Sequence, residues 1–115
     1  MIKNLILKRY SPRSFSDKMV EEDKIFRIFD AGRWAASSRN EQPWRFIYAT
    51  KDNITEYNRL LSCLSDWNQN WVKTAPVIIM TLVKTTFSHN NQPNRHAWHD
   101  LGLAVGNMSI QATDL

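Results

Sequence analysis

The amino-acid sequence predicts an α+β fold, and three observations carry that reading. Apolar residues recur at helical spacing in VEEDKIFRIFDAGRWAA and again from position 96 to 115. RFIYAT and APVIIMTLV are dense in aromatic and β-branched residues, as strands are. Segments rich in Ser, Asn, Gln and Pro separate these runs and supply the turns.

A chain of 115 residues suits one domain spanning 1–115. A domain of this size buries a smaller share of its surface than a larger one, so partners matter more to it. Hydrophobic residues make up 43 % and charged residues 23 %, which excludes a disordered chain. Fifteen basic residues against 11 acidic give a net charge of +4, scattered without a long basic run. That excess suits a phosphate or another small anion and argues against a nucleic-acid partner. Cys63 is the only cysteine, which excludes a disulfide framework and suits a reducing, cytoplasmic setting. Its context, LLSCL, reads as an inert core thiol. The apolar part of MIKNLILKRY is too short for a signal peptide, and no 18-residue apolar run offers a membrane span.

The elements follow in order. IKNLIL (2–7) reads as a short helix with Ile2, Leu5 and Ile6 on one face. Pro12 turns the next segment towards extended geometry. A helix over about 22–36 follows from Ile25, Ile28, Phe29, Gly32 and Ala35 or Ala36, with Glu21, Glu22 and Asp23 favouring its N-terminus. RFIYAT (45–50) is a strand. Asp52 or Asn53 caps a helix running through about 66, with Tyr57, Leu60, Leu61 and Leu64 as its stripe. APVIIMTLV (75–83) is apolar almost throughout and reads as a strand covered on both faces. KTTFSHNNQPNRH (84–96) reads as a mobile polar loop. The last helix, from about 96, carries Trp98, Leu101, Val105, Met108, Ala112 and Leu115 on one face, and Gly102 and Gly106 admit a second helix closely. It meets no stop signal before Leu115. With two strands being few for a sheet, the expectation is a chain completed by another copy or a part of a longer fold.

Two stretches carry candidate chemistry. In RYSPRSF, Arg9, Ser11 and Arg13 alternate, so an extended backbone turns them to one side. Two guanidinium forks and a hydroxyl suit a phosphate; the alternative is a solvated loop pairing with Glu21, Glu22 or Asp23. In SSRNEQPW, Ser37, Ser38, Asn40 and Gln42 offer uncharged donors and acceptors that match the edge of a heterocycle; the alternative is a plain helix-to-strand turn. His96, His99 and Asp100 lack a recognised metal spacing, and there is no glycine-rich nucleotide loop. Trp34, Trp44, Trp67, Trp71 and Trp98 read as core or interface residues.

Taken together, these stretches resemble one family. RYSPRSF is similar to the R-x-S-x-R-x-F segment of FMN-dependent nitroreductases, and ASSRNEQPWRF to their P-S-S-x-N-x-Q-P-W-x-F segment. APVIIM resembles their A-P-x-x-I strand, and WHDLGLAVGNMSIQATDL their D-x-G-x-A-x-x-N-x-x-L-x-A helix. The resemblance implies a nitroreductase-like α+β fold, with helices on both sides of a mainly antiparallel sheet and a long central dimer helix. It implies FMN as cofactor, with Arg9, Ser11 and Arg13 on its phosphate and ribityl chain. Ser37, Ser38, Asn40 and Gln42 would line the isoalloxazine from the other subunit of a homodimer. Electrons would pass from NAD(P)H to nitroaromatic, quinone or similar acceptors, with no protein nucleophile. Asp100 and Asn107 are expected to be structural. The chain departs from the family at Ala36, where Pro is usual, and relatives continue past Leu115. The matched part is therefore expected to be the N-terminal part of an incomplete fold. The alternative is a non-catalytic flavin-binding or interaction module.

Overall fold

The computed structural model describes residues 2–115, without the side chain of Ile2, so the expected place of Ile2 on the first helix face lies outside it. The elements are α1 (Ile2–Lys8), α2 (Glu22–Arg33), β1 (Trp44–Thr50), α3 (Ile54–Leu61), α4 (Asp66–Val72), β2 (Val77–Val83) and α5 (Ala97–Asp114). A short 3-10 turn, Ser38–Asn40, lies between α2 and β1. β1 and β2 pair with each other. Just beyond the strands, Lys84 N–H donates to the Pro43 carbonyl at 2.8 Å and Lys51 N–H to the Pro76 carbonyl at 3.2 Å, the crossed register of an antiparallel pair.

The chain forms two compact units, each built from separated stretches of sequence. The first holds the chain through Tyr10, Glu22–Arg45 and Thr81–Leu115. Its core is α2 against α5. Ile25 and Gly32 of α2 are buried, as are Ala97, Asp100, Leu101, Ala104 and Met108 of α5. A Cβ built on Gly32 would lie 2.9 Å from Met108 Cγ, so this position is glycine because the α5 side chain occupies the space. Asn107 Nδ2 also donates to the Ala31 carbonyl at 3.2 Å, tying α5 to α2.

The second unit holds Ser11–Glu21 and Phe46–Met80. Tyr57, 2 % exposed, donates its hydroxyl to the Ala75 carbonyl at 2.5 Å. That burial raises the phenol's pKa above its ordinary value. Phe15 stacks on Trp71 with ring centroids 6.2 Å apart.

The structure corrects five expectations. The predicted helix through 66 stops at Leu61, and a separate helix α4 follows. Ser65 is the reason: its extended backbone and side chain, which accepts from Asn68 N–H at 3.4 Å, start a new helix. Cys63 is exposed rather than core, because it falls in the break between these helices. β2 is half-buried, with Thr81 and Leu82 exposed, rather than covered on both faces. The 84–96 segment folds as a hairpin around a Thr86–Pro93 bridge rather than as an irregular loop. On α5, Leu101 and Met108 of the predicted stripe are buried, but Trp98 is 69 % exposed and Ala112 is exposed, while Ala97 and Ala104 are buried, so the packed stripe overlaps the predicted one only at its centre. Ala104 lies where the two helices approach closely, its carbonyl 3.6 Å from a Cβ built on Gly32.

Candidate functional site

The 37–42 loop begins where α2 ends, with Ala35 N–H donating to the Gly32 carbonyl at 3.1 Å. Ser37 is extended (φ −149°, ψ 151°), and the chain then tightens into the 3-10 turn. Asn40 N–H donates to the Ser37 carbonyl at 3.0 Å, and Glu41 N–H to the Ser38 carbonyl at 3.1 Å. Arg39 (φ 54°), Asn40 (φ 51°) and Gln42 (φ 51°) all lie in the left-handed region. Such geometry costs a non-glycine residue on the order of 1 kcal/mol, and it persists where surrounding contacts fix it.

Those contacts are specific. The Asp100 carboxylate on α5, 3 % exposed, accepts from Ser38 N–H at 2.9 Å. The Ser37 hydroxyl oxygen accepts from Gln42 N–H at 3.0 Å. Arg45 Nη1 donates to the carbonyls of Gln42 at 3.0 Å and Trp44 at 2.7 Å. Pro43 and Trp44 beyond are buried and anchor the end of the loop.

Gln42 Nε2 donates to Asn40 Oδ1 at 3.2 Å, which orients the two amides against each other. Both residues line a cavity of ≈ 430 Å³ together with Arg33, Trp34 and Ala35. That is within the size range of small-molecule sites. The pairing leaves Asn40 with two amide donors and Gln42 with an acceptor and a further donor. Arg33 lies over the Trp34 ring at 5.5 Å, and Trp34 is 75 % exposed.

The four loop residues predicted for a ring edge therefore come together, with different tasks. Ser37 and the Ser38 backbone hold the loop, while Asn40 and Gln42 line the cavity. The predicted phosphate residues lie in a different setting. Arg9 follows α1, with its N–H donating to the Leu5 carbonyl at 3.0 Å. Ser11 and Arg13 lie in the irregular segment of the second unit, where the Arg13 guanidinium sits 5.2 Å from the Trp67 ring centroid.

Sequence reasoning missed Glu41, which lies between Asn40 and Gln42 and binds the 84–96 hairpin. Its pKa is lowered, first by the Ser88 hydroxyl bond, against the opposing effect of burial, with Ser88 N–H and Lys84 adding to the lowering. Nothing in the local sequence signals a bond to a residue 47 positions away. Among the described residues, no three His, Cys, Asp or Glu side chains gather as a metal site, and no helix is long and apolar enough to cross a membrane. His99 Nδ1 lies 3.1 Å from Asp100 Oδ1.

Known proteins are similar to this chain in sequence and fold. A solved oxidoreductase containing FMN is 34 % identical with a TM-score of 0.86, over 93 % of this chain and 55 % of its own. A protein from Desulfovibrio desulfuricans, provisionally named a nitroreductase and solved in complex with FMN, is 28 % identical with a TM-score of 0.78, over 96 % of this chain and 61 % of its own. A Streptomyces coelicolor protein provisionally named NADH dehydrogenase/NAD(P)H nitroreductase is 32 % identical over 70 % of this chain and 39 % of its own length. The chain thus spans about two fifths of the curated relatives it matches, 41 % and 39 %. The nitroreductase family model matches residues 6–115. The fold is the α+β nitroreductase fold, and the chain belongs to the nitroreductase family.

Proposed function

We propose that the chain holds FMN in an oxidoreductase that passes electrons from NAD(P)H to nitroaromatic, quinone or similar acceptors. The observation that carries this reading is the 37–42 loop, whose left-handed residues set the Asn40 and Gln42 amides into one cavity. The pyrimidine edge of a flavin alternates N–H and C=O groups, and paired amides complement that pattern. Arg9, Ser11 and Arg13 would hold the phosphate and ribityl chain, and Ser37 and Ser38 would complete the ring edge. FMN, when bound, supplies two-electron transfer between nicotinamide and acceptor. The chain's own groups position it, and amide donors at the ring edge offset negative charge there.

The partner is a second copy of the chain, with the site shared between subunits. α5 supports this, because Trp98 and Leu103 are exposed apolar residues and nothing lies within 4 Å of a Cβ built on Gly102 or Gly106. A helix apolar on several faces belongs inside an assembly. That both strands begin in one unit and end in the other supports reading residues 1–115 as one domain. An exposed Cys63 thiol suits a reducing cytoplasm.

Purified protein is expected to carry flavin absorbance or to take up added FMN. A colourless preparation that fails to do so would sink the reading. Oxidation of NADH or NADPH with nitro or quinone acceptors then separates an enzyme from a flavin-binding module without turnover.

A further inference from the structure

Glu41 lies between the two residues that line the cavity, yet its own side chain is spent on the neighbouring hairpin. The side chain is 8 % exposed, and its carboxylate accepts from Ser88 N–H at 2.8 Å and from the Ser88 hydroxyl at 2.6 Å. Lys84 Nζ donates to the Ser88 hydroxyl oxygen at 2.6 Å and lies 3.6 Å from the same Glu41 oxygen. The triad closes on one carboxylate oxygen: the hydroxyl donates once and accepts once, and Glu41 Oε1 receives two hydrogen bonds and a positive neighbour.

The hairpin that carries Ser88 is itself fixed. Phe87 N–H donates to the Gln92 carbonyl and Asn91 N–H to the Phe87 carbonyl, both at 2.9 Å, around the Thr86–Pro93 bridge. At its base, Lys84 N–H donates to the Pro43 carbonyl at 2.8 Å. The hairpin therefore grips the loop on each side of Gln42, at Glu41 and at Pro43. Gln42 is a non-glycine residue in left-handed geometry, the kind of residue that relaxes unless its neighbours are held.

We propose that Glu41, through Ser88 and Lys84, is a positioning residue that sets the Asn40 and Gln42 amides for the ring edge of the cofactor. This rests on the flavin reading above. Glu41 does not line the cavity; it acts by fixing the backbone from which its two neighbours project.

The test compares wild type with Glu41→Ala, Glu41→Gln and Ser88→Ala, reading amide hydrogen exchange without ligand and FMN affinity by fluorescence quenching. In Glu41→Ala, the Gln42 and Ser88 amides are expected to exchange at least about tenfold faster, with α2 and α5 amides unchanged, and FMN binding to weaken by about tenfold or more. Glu41→Gln keeps an acceptor for Ser88 N–H and should recover part of both effects. Ser88→Ala, which spares the loop's own sequence, should reproduce the direction of the alanine variant at 41. Unchanged exchange at Gln42, or faster exchange with unchanged FMN affinity, overturns the positioning role while leaving the flavin reading intact. A wild type that binds no FMN overturns both.

Discussion

The 37–42 loop and the Ser11–Glu21 segment are both short, polar and free of strands and α-helices, yet their main contacts differ in kind. The loop is fixed through its backbone: its amides and carbonyls are taken by Asp100, Ser37 and Arg45, and three of its residues sit in left-handed geometry. The other segment is fixed through its side chains, with Phe15 stacked on Trp71 and Arg13 over Trp67. Backbone fixing sets direction before any ligand arrives, which suits reading the edge of a planar ring. Side-chain docking on an exposed aromatic leaves the arginine a modest hold.

This contrast predicts unequal costs. Asp100→Ala should be the most damaging change, because it leaves the Ser38 N–H without its partner and empties a buried carboxylate position. Bonds to charged acceptors are worth about 1.5–3 kcal/mol, and a loss in that range is expected in denaturant unfolding. Asp100→Asn, which keeps an acceptor, should cost less.

Gly32→Val should cost about 1–3 kcal/mol by driving a side chain into Met108. Met108→Ala in the same chain should return part of that loss, and a double-mutant cycle with no coupling would show that Met108 is not the obstacle.

Tyr57→Phe in the second unit should cost about 1 kcal/mol through the lost bond to the Ala75 carbonyl. Its sign with pH is defined. A phenol with a raised native pKa contributes its full share below the ordinary tyrosine value, about 10, and loses it as pH rises through the higher native value. The phenylalanine variant should lack that part of the alkaline decline. Glu41 has the reverse sign: its lowered pKa makes its contribution full at neutral pH and lost as pH falls through the carboxylate range, so Glu41→Gln should flatten that acid limb.

Arg13→Ala should have the smallest effect on stability, about 0.5–1 kcal/mol, the worth of an exposed cation–π contact. Paired with Arg9→Ala, it should nonetheless reduce FMN retention sharply. Intact retention in that double variant would refute the phosphate assignment while leaving the loop's role standing.

Much of the fold was legible because local chemistry and packing agree. Ile25 and Gly32 sit on the packed side of α2 as their spacing predicts, and Asn53 caps α3. Where the two disagree, local spacing misleads. Trp98 fits a heptad-like stripe by number, but Ala97 and Ala104 bury instead, because close approach to α2 favours small residues over a large ring. Leu64 extends the α3 stripe on paper, but Ser65 restarts the backbone one residue later. At the site, the types of Asn40 and Gln42 were readable, since turn-forming amides announce themselves. The partners that fix them were not: Asp100 lies 62 residues from Ser38, and Ser88 lies 47 from Glu41. Contacts at that separation are a product of the folded chain and leave no local pattern.

The central claim is that Asn40 and Gln42 read a flavin edge. An FMN fluorescence titration of wild type beside Asn40→Ala/Gln42→Ala tests it most directly. Wild type is expected to quench saturably, and the double variant to bind about tenfold or more weakly with its circular dichroism unchanged. Equal affinity in the two proteins would contradict it.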